Sequence, residues 1–381
     1  MSGIPRKLKV LTVVGTRPEI IKLARVIPEL DKYTEQVFVH SGQNYAYELK
    51  DVFWKDLEFR NPDYALTSST GTLAERMASM IVQIDAVFEK ENPDALFILG
   101  DTNSCLTAVL MAKRRKVPIF HMEAGLRCFD ARVPEENNRK VVDHLSDINL
   151  VYTEHARRNL LQEGISPDTI FKTGSPVKEI VQHFKNKIDS SDILSRLRLT
   201  PRKYFLVSTH REENLDSPEN FKDLVATLNS IAEHYQDPVI VSMHPRARKK
   251  LEEIPKGTLH QLIRCEQAFG FFDYSKLEMN ARCVVSDSGT ITEDSSILSF
   301  PAVTIRQAHE RPEGVDEGVL IMCGLKPERV LQAMETVMAQ YSAIKVLPRL
   351  VPEYDVDNVS KKVVCIIMSY TDYINRTVWH R

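Results

Sequence analysis

IFHMEAGLRCFDARVPEENNRKVVDH, residues 119–144, is where the chain states its organisation most clearly. Eleven of these 26 residues are ionisable, against 27% charged residues overall. The apolar stub Val117-Pro118-Ile119-Phe120 leads in and reads as a short buried strand. A strand that ends in so many acids and bases reads as the rim of a site. A solvated loop feeding a helix would carry charge as well. The mixture separates the two readings. His121, Glu123, Asp130, Glu135 and Glu136 stand among Arg127, Arg132 and Arg139. Proton-transfer and anion-binding groups are therefore both present.

Towards the amino end, the same grammar repeats. Residues 9–14 form a β-branched apolar run that Gly15-Thr16-Arg17-Pro18 breaks, and residues 20–30 have helical spacing. Pro18 suits a first helical turn. Strand, glycine turn and helix would point backbone N–H groups at an anion, with Arg17 and Lys22 adding charge; a plain turn with surface basics is the competing reading. Residues 37–40 read as a strand followed by the polar loop Ser41-Gly42-Gln43-Asn44-Tyr45. Residues 73–88 read as a helix. Residues 95–99 read as a buried strand ending in Gly100-Asp101-Thr102-Asn103-Ser104, with a helix from about Cys105. Asp101 can cap that helix. It also belongs to the third successive polar cluster at a strand's carboxyl end, where open α/β sheets bind ligands. Asp101 and Glu123 on neighbouring strands could divide acid and base duties. Residues 149–153 and 154–164 complete a strand and a helix, and the polar residues 185–201 read as the passage to a second domain.

The second half restarts the pattern. Strands over residues 204–208, 239–243, 283–286 and 302–305 end in Thr209-His210-Arg211, His244-Pro245-Arg246, Asp287-Ser288-Gly289-Thr290 and Arg306. Ser217 and Pro218 open a helix, and residues 359–374 form a long amphipathic one. Ser288-Gly289-Thr290 before a helix is a second set of small residues able to offer N–H groups to a phosphate. Asp355-Val-Asp357 reads as a helix start rather than a metal motif.

Composition narrows the function classes. A chain of 381 residues exceeds what one core usually supports, so two domains are expected. A net charge of -2 gives no reason to expect nucleic acid or an anionic membrane as partner. No apolar run is long enough to span a bilayer, and the first residues show no apolar leader, so a cytoplasmic protein is expected. Cysteines 105, 128, 265, 283, 323 and 365 include no C-x-x-C pair, which argues for reduced thiols and against structural zinc. Neither G-x-G-x-x-G nor a Walker A sequence occurs, which weakens NAD and ATP as ligands.

The motifs VVGTRPEIIKL (13–23), GDTNS (100–104), HMEAGLR (121–127), PEENNRK (134–140), THRE (209–212), SDSGT (286–290) and ERPEG (310–314) together resemble the non-hydrolysing UDP-N-acetylglucosamine 2-epimerase family. They span nearly the whole chain in family order. The resemblance implies an α/β protein of two Rossmann-like lobes with parallel sheets, of GT-B type, and an interlobe cleft. Residues 1–180 would form the first lobe and 181–355 the UDP-binding lobe, with 356–381 a helix packing back on the first. It implies a cytoplasmic homodimer that takes a UDP-sugar and uses no cofactor and no metal. Asp101, Glu123 and Glu135 would be the acid/base carboxylates. His210, Arg17 and Arg139 would face the departing diphosphate or its sugar, with Lys22 in support. Ser288, Gly289 and Arg311 would seat UDP, and Arg211, His244, Tyr274, Thr290 and Asp294 join that contact set. Gly42-Gln43-Asn44-Tyr45 replaces the family's Gln-His-Arg loop, Thr290 a second glycine, and Asp294 a ribose-binding glutamate. RCFDARVPEENNRK and FGFFDYSKLEMNARCVVSDSGT resemble the branch that converts UDP-2-acetamido-2,6-dideoxy-L-talose to UDP-N-acetyl-L-fucosamine for capsule or O-antigen. The alternatives are the parent UDP-N-acetylglucosamine substrate, a GT-B glycosyltransferase, and a catalytically silent UDP-sugar binder.

Overall fold

Parallel β-sheet organises both halves of the protein. In a computed structural model, the residues described are 6–43, 56–67, 69–209, 211–243, 248, 250–251, 253–255, 257–343 and 350–381. The first sheet contains β1 (Lys9–Val14), β2 (Glu35–His40), β3 (Tyr64–Ala65), β4 (Ala95–Leu99), β5 (Ile119–Met122), β6 (Ile148–Val151) and β7 (Ile170–Lys172). Their order is β3-β2-β1-β4-β5-β6-β7, and every pairing is parallel. The second contains β8 (Phe205–Thr209), β9 (Val239–Met243), β10 (Ile263–Gln267), β11 (Cys283–Ser286), β12 (Ala302–Thr304) and β13 (Leu320–Met322), ordered β10-β9-β8-β11-β12-β13. Both are α/β folds with doubly wound order. Each order reverses once, between β1 and β4 and between β8 and β11, and such reversals are where open sheets hold ligands.

The apolar runs become strands because helices cover both faces of the sheet. Leu11, Val13, Leu96 and Ile98 are fully buried on one face against Ile84, Phe88, Ala108 and Val109. In the second sheet, Phe205, Val207, Val239, Val241 and Val285 pack on Leu224, Leu228 and Ile231. Each such side chain contributes about 1.5–3 kcal/mol by leaving water.

Two local expectations are corrected. The helix expected over residues 20–30 is broken into Arg17–Lys22 and Val26–Tyr33. Pro28 explains the break: in a continuous helix its missing N–H would leave the Ala24 carbonyl unpaired and its ring would collide there. The chain instead takes a tight turn, with Ala24 N donating to Ile21 O (3.1 Å), and restarts so that Pro28 falls in a first turn. Residues 185–201 are no open passage. They form helices Lys185–Asp189 and Ile193–Arg196, anchored by buried Ile188 and Ile193 and by a bond from Ser191 Oγ to Asp273 (2.5 Å).

The chain divides into two compact units. One ends at Ile180 and resumes from Val356 to Arg381, and the other is Val181–Asp355. Within the first, helix Val359–Thr377 packs on helix Val26–Tyr33, and the Lys362 ammonium donates to the Thr173 carbonyl (2.9 Å). No helix among the described residues is long and apolar enough to cross a membrane.

Candidate active site

In the first unit, the turns after β1, β4 and β5 meet at the sheet's carboxyl edge. Gly15 has no room for a side chain, because a Cβ there would lie 2.3 Å from both Ser41 Oγ and Ser104 Oγ. Those hydroxyls bond each other (2.7 Å), and the Gln43 side-chain oxygen accepts from the Ser104 amide (3.1 Å). The anion seat expected at this turn is already filled. Glu19 reaches back, and its Oε2 accepts from the amides of Gly15 (2.9 Å) and Thr16 (2.6 Å). Burial raises the Glu19 pKa above the ordinary carboxylate value, although the Thr16 hydroxyl and Gly15 amide pull it down. Arg17 opens helix Arg17–Lys22 and is half-buried. Lys22 is turned inward: its ammonium pairs with Glu123 and lies 5.6 Å from the centre of the Tyr152 ring.

Glu123 follows β5 with φ 69°, a left-handed conformation that costs a non-glycine residue energy and recurs at functional positions. Gly100, also left-handed at φ 84°, lies beside it: a Cβ there would stand 3.5 Å from Glu123 Oε2. Because β4 and β5 are hydrogen-bonded neighbours, Asp101 and Glu123 sit at adjacent strand ends. Asp101 does not cap the following helix. Thr102 does, accepting from Cys105 N (3.2 Å), and helix Asn103–Arg114 starts earlier than expected. Asp101 is thus left to accept from Arg139 Nε (2.8 Å), and its carbonyl from the Asn138 amide (2.9 Å).

Helix Pro134–Leu145 presents Glu135, Asn138 and Arg139 on one face by its i, i+3, i+4 spacing. Glu135 is half-buried, and its side chain makes no hydrogen bond or ion pair with a described residue. Glu136 is a clamp. It accepts from the amides of Cys128 (3.0 Å) and Phe129 (3.1 Å) and from Arg139 Nη1 (2.7 Å). The clamp holds Phe129 at φ 55° and 78% exposed.

Several charged groups of the 119–144 stretch hold the loop rather than face a ligand. Arg127 is fully buried between Asp143 (2.7 Å) and Glu163 (2.7 Å), because a guanidinium taken out of water needs carboxylates on both sides. His121 Nε2 donates to the Gly100 carbonyl (2.8 Å), and its Nδ1 lies 2.9 Å from Asp143 without hydrogen-bond alignment. Asp130 pairs locally with Arg132, which holds its pKa down to about 2.

Burial raises the Glu136 pKa, but the Cys128 amide and thiol and the Arg139 charge outweigh it and leave the pKa below the ordinary value. A depressed folded pKa means stability that is complete above the unfolded carboxyl value, about 4.3, and is lost as pH falls through the folded one. Thermal melts should therefore lose stability between about pH 5 and 3, and Glu136→Gln should flatten that slope. An unchanged slope would count against the clamp.

In the second unit, Asp287 organises the turns after β8 and β11. Its Oδ2 accepts from Thr209 Oγ1 (2.8 Å), Arg211 N (3.1 Å) and Asn214 Nδ2 (3.1 Å). The Ser288-Gly289-Thr290 seat is less open than expected. The Ser288 amide donates to Ser286 Oγ (3.0 Å) and the Thr290 amide to Ser288 Oγ (3.3 Å). Charge gathers beside Gly289 instead. Glu310 accepts from Arg306 Nη1 (2.7 Å) and Arg311 Nη1 (3.0 Å), with Arg211 Nη2 at 3.9 Å, and Arg311 Nε is 3.1 Å from the buried Glu293. A Cβ on Gly289 would be 2.4 Å from Glu310 Oε1 and 2.9 Å from Arg311 Nη1, so a side chain there would have to displace this ion pair. Asp294 is half-buried in helix Ile291–Leu298. Tyr274 packs against the core around Leu206 and Leu277. His210, His244, Asn44 and Tyr45 lie outside the described residues.

Glu19, Glu310 and Asp287 were not expected as site-building residues. Thr16-x-x-Glu19 is a capping-box spacing, and that was the available signal for Glu19.

Solved structures that match this fold include UDP-N-acetylglucosamine 2-epimerases. A UDP-N-acetylglucosamine 2-epimerase from Rickettsia bellii matches with a TM-score of 0.92 and 52% identity, over 99% of this chain and 100% of that one. The Methanocaldococcus jannaschii UDP-GlcNAc 2-epimerase, in complex with UDP-GlcNAc and UDP, matches with a TM-score of 0.88 and 32% identity, over 95% and 100%. These likenesses define an isomerase of GT-B-like fold. The sequence model for UDP-N-acetylglucosamine 2-epimerase matches residues 29–368. A UDP-2,3-diacetamido-2,3-dideoxy-D-glucuronate 2-epimerase from Pseudomonas aeruginosa is 31% identical over 339 residues, 87% of this chain and 93% of its own. The chain belongs to the UDP-N-acetylglucosamine 2-epimerase family.

Proposed function

We propose that the protein inverts C2 of a UDP-activated 2-acetamido sugar by eliminating and re-adding UDP. The observation that carries this reading is the pair Asp101 and Glu123 at the ends of adjacent strands, each held by a buried cation. A C2–H beside an acetamido group is too weakly acidic for simple abstraction. In the elimination, a carboxylate takes the C2 proton, the C1–O bond breaks, and its electron pair leaves with the diphosphate, giving a 2-acetamidoglycal. A proton delivered to the opposite face of C2, with diphosphate oxygen returning to C1, completes the inversion. Asp101, Glu123 and Glu135 serve as the acid/base carboxylates. Arg17, Arg139 and His210 attend the departing diphosphate, and Arg311, Arg211 and the Ser288–Thr290 turn hold UDP.

The favoured substrate is UDP-2-acetamido-2,6-dideoxy-L-talose, giving UDP-N-acetyl-L-fucosamine for capsule or O-antigen. Support comes from residues 127–140 and 269–290, which resemble that branch, and from Phe129, whose exposed ring offers a C6 methyl an apolar surface. Incubation of the purified protein in heavy water, with each UDP-sugar alone, tests both levels. The expected result is an epimer deuterated at C2, formed faster from the 6-deoxy-L-talose compound than from UDP-N-acetylglucosamine. Faster turnover of the latter would move the substrate assignment to it, and no reaction without an acceptor would point to a transferase.

The working form is proposed to be a homodimer, on the resemblance of the sequence motifs to the family. Light scattering should give twice the chain mass of 43.5 kDa; a monomeric wild type would dismiss the idea.

A further inference from the structure

Glu19 is 2% exposed, and its two carboxylate oxygens face two different turns. Oε2 accepts from Gly15 N, Thr16 N and Thr16 Oγ1 (2.7 Å) in the turn after β1. Oε1 accepts from Thr102 Oγ1 (3.0 Å) in the turn after β4, with the Cys105 thiol 3.4 Å away and closer to the Leu99 carbonyl, at 3.0 Å. Arg17 directly follows Thr16, and Asp101 directly precedes Thr102. A buried carboxylate is costly to keep, so a site needing only packing would hold an apolar side chain. Short bonds from N–H and O–H donors to a charged acceptor fix geometry more firmly than neutral ones. The β1 turn has no slack to compensate, because Gly15 sits against the Ser41 and Ser104 hydroxyls.

We propose that Glu19 is a positioning residue, one carboxylate that sets the turn carrying Arg17 against the turn carrying Asp101. It touches no substrate. The inference rests on the reading of Asp101 as an acid/base group.

Glu19→Gln keeps the shape and one acceptor oxygen, but places an amide –NH2 against the donors of one of the two turns. Its kcat should fall roughly a hundredfold, the scale expected for a catalytic group misplaced by about 1 Å, with KM and UDP affinity unchanged. Thr102→Val, which removes one donor, should lose kcat similarly, whereas Thr102→Ser should keep it. The double variant Glu19→Gln/Thr102→Val should be no slower than the slower single, since both cut one link. Unchanged kcat in Glu19→Gln, additive losses in the double, or a parallel fall in UDP affinity would each overturn the proposal. Should Glu19→Gln not fold, the comparison of Thr102→Val with Thr102→Ser decides alone: equal kcat rejects the link. Asp101→Asn distinguishes the two levels. If it is inert while Glu19→Gln turns over normally, only the link fails; if it is fully active, both readings fail.

Discussion

Glu123→Gln is expected to abolish turnover while leaving UDP affinity intact. Glutamine fills the same volume and still accepts a hydrogen bond, but it cannot take or return a proton. General acid–base groups contribute about 10²–10⁴-fold, so the loss should reach the upper part of that range if no neighbour substitutes. The geometry singles out this carboxylate. The backbone at Glu123 is held left-handed, and the buried Lys22 compensates its charge. Affinity for UDP should survive, because the residues proposed to hold UDP, Arg311, Gly289 and Arg211, belong to the other compact unit. Isothermal titration with UDP beside the heavy-water assay checks both halves. Near-wild-type exchange at C2 would remove Glu123 from the mechanism.

Arg311→Met should have the second large effect, on stability as well as binding. Arg311 bridges Glu310 and Glu293, and both carboxylates are nearly sealed from water. Glu310 would keep Arg306, but Glu293 would lose the guanidinium 3.1 Å away. Removing one member of a buried pair costs about 3–5 kcal/mol, more than the pair itself is worth, because the remaining charge stays out of water. For a unit of this size that corresponds to a melting temperature lower by about 10 °C. Calorimetry checks it: a shift of only a degree or two would show that Glu293 finds another partner or takes up a proton.

Much of the fold was legible because parallel strands buried on both faces have a plain signature. Residues 9–14, 95–99, 239–243 and 283–286 coincide with β1, β4, β9 and β11. Edge strands hid themselves. The two-residue β3 is too short to show periodicity, and β10 carries Arg264, Glu266 and Gln267 because its edge is only partly covered. Strand order is set by long-range pairing that no local window contains. At the site, the sequence located the turns but not their wiring. Arg127 and Arg139 are both arginines of one loop and helix, yet only Arg139 reaches Asp101, while Arg127 is locked between Asp143 and Glu163. Glu19 was passed over for the opposite reason. A glycine turn with Arg17 and Lys22 nearby reads as awaiting an anion, when the chain supplies its own.

The thiols beside the carboxylates have a practical consequence. Cys105 and Cys128 are buried, and burial pushes both pKa values up, so neither presents the thiolate that alkylating reagents attack. Among the described residues two cysteines are exposed, Cys365 on helix Val359–Thr377 and Cys265 on β10. With Cys265 replaced by serine, a maleimide dye can therefore be attached at Cys365 alone, giving an optical handle on the folded protein.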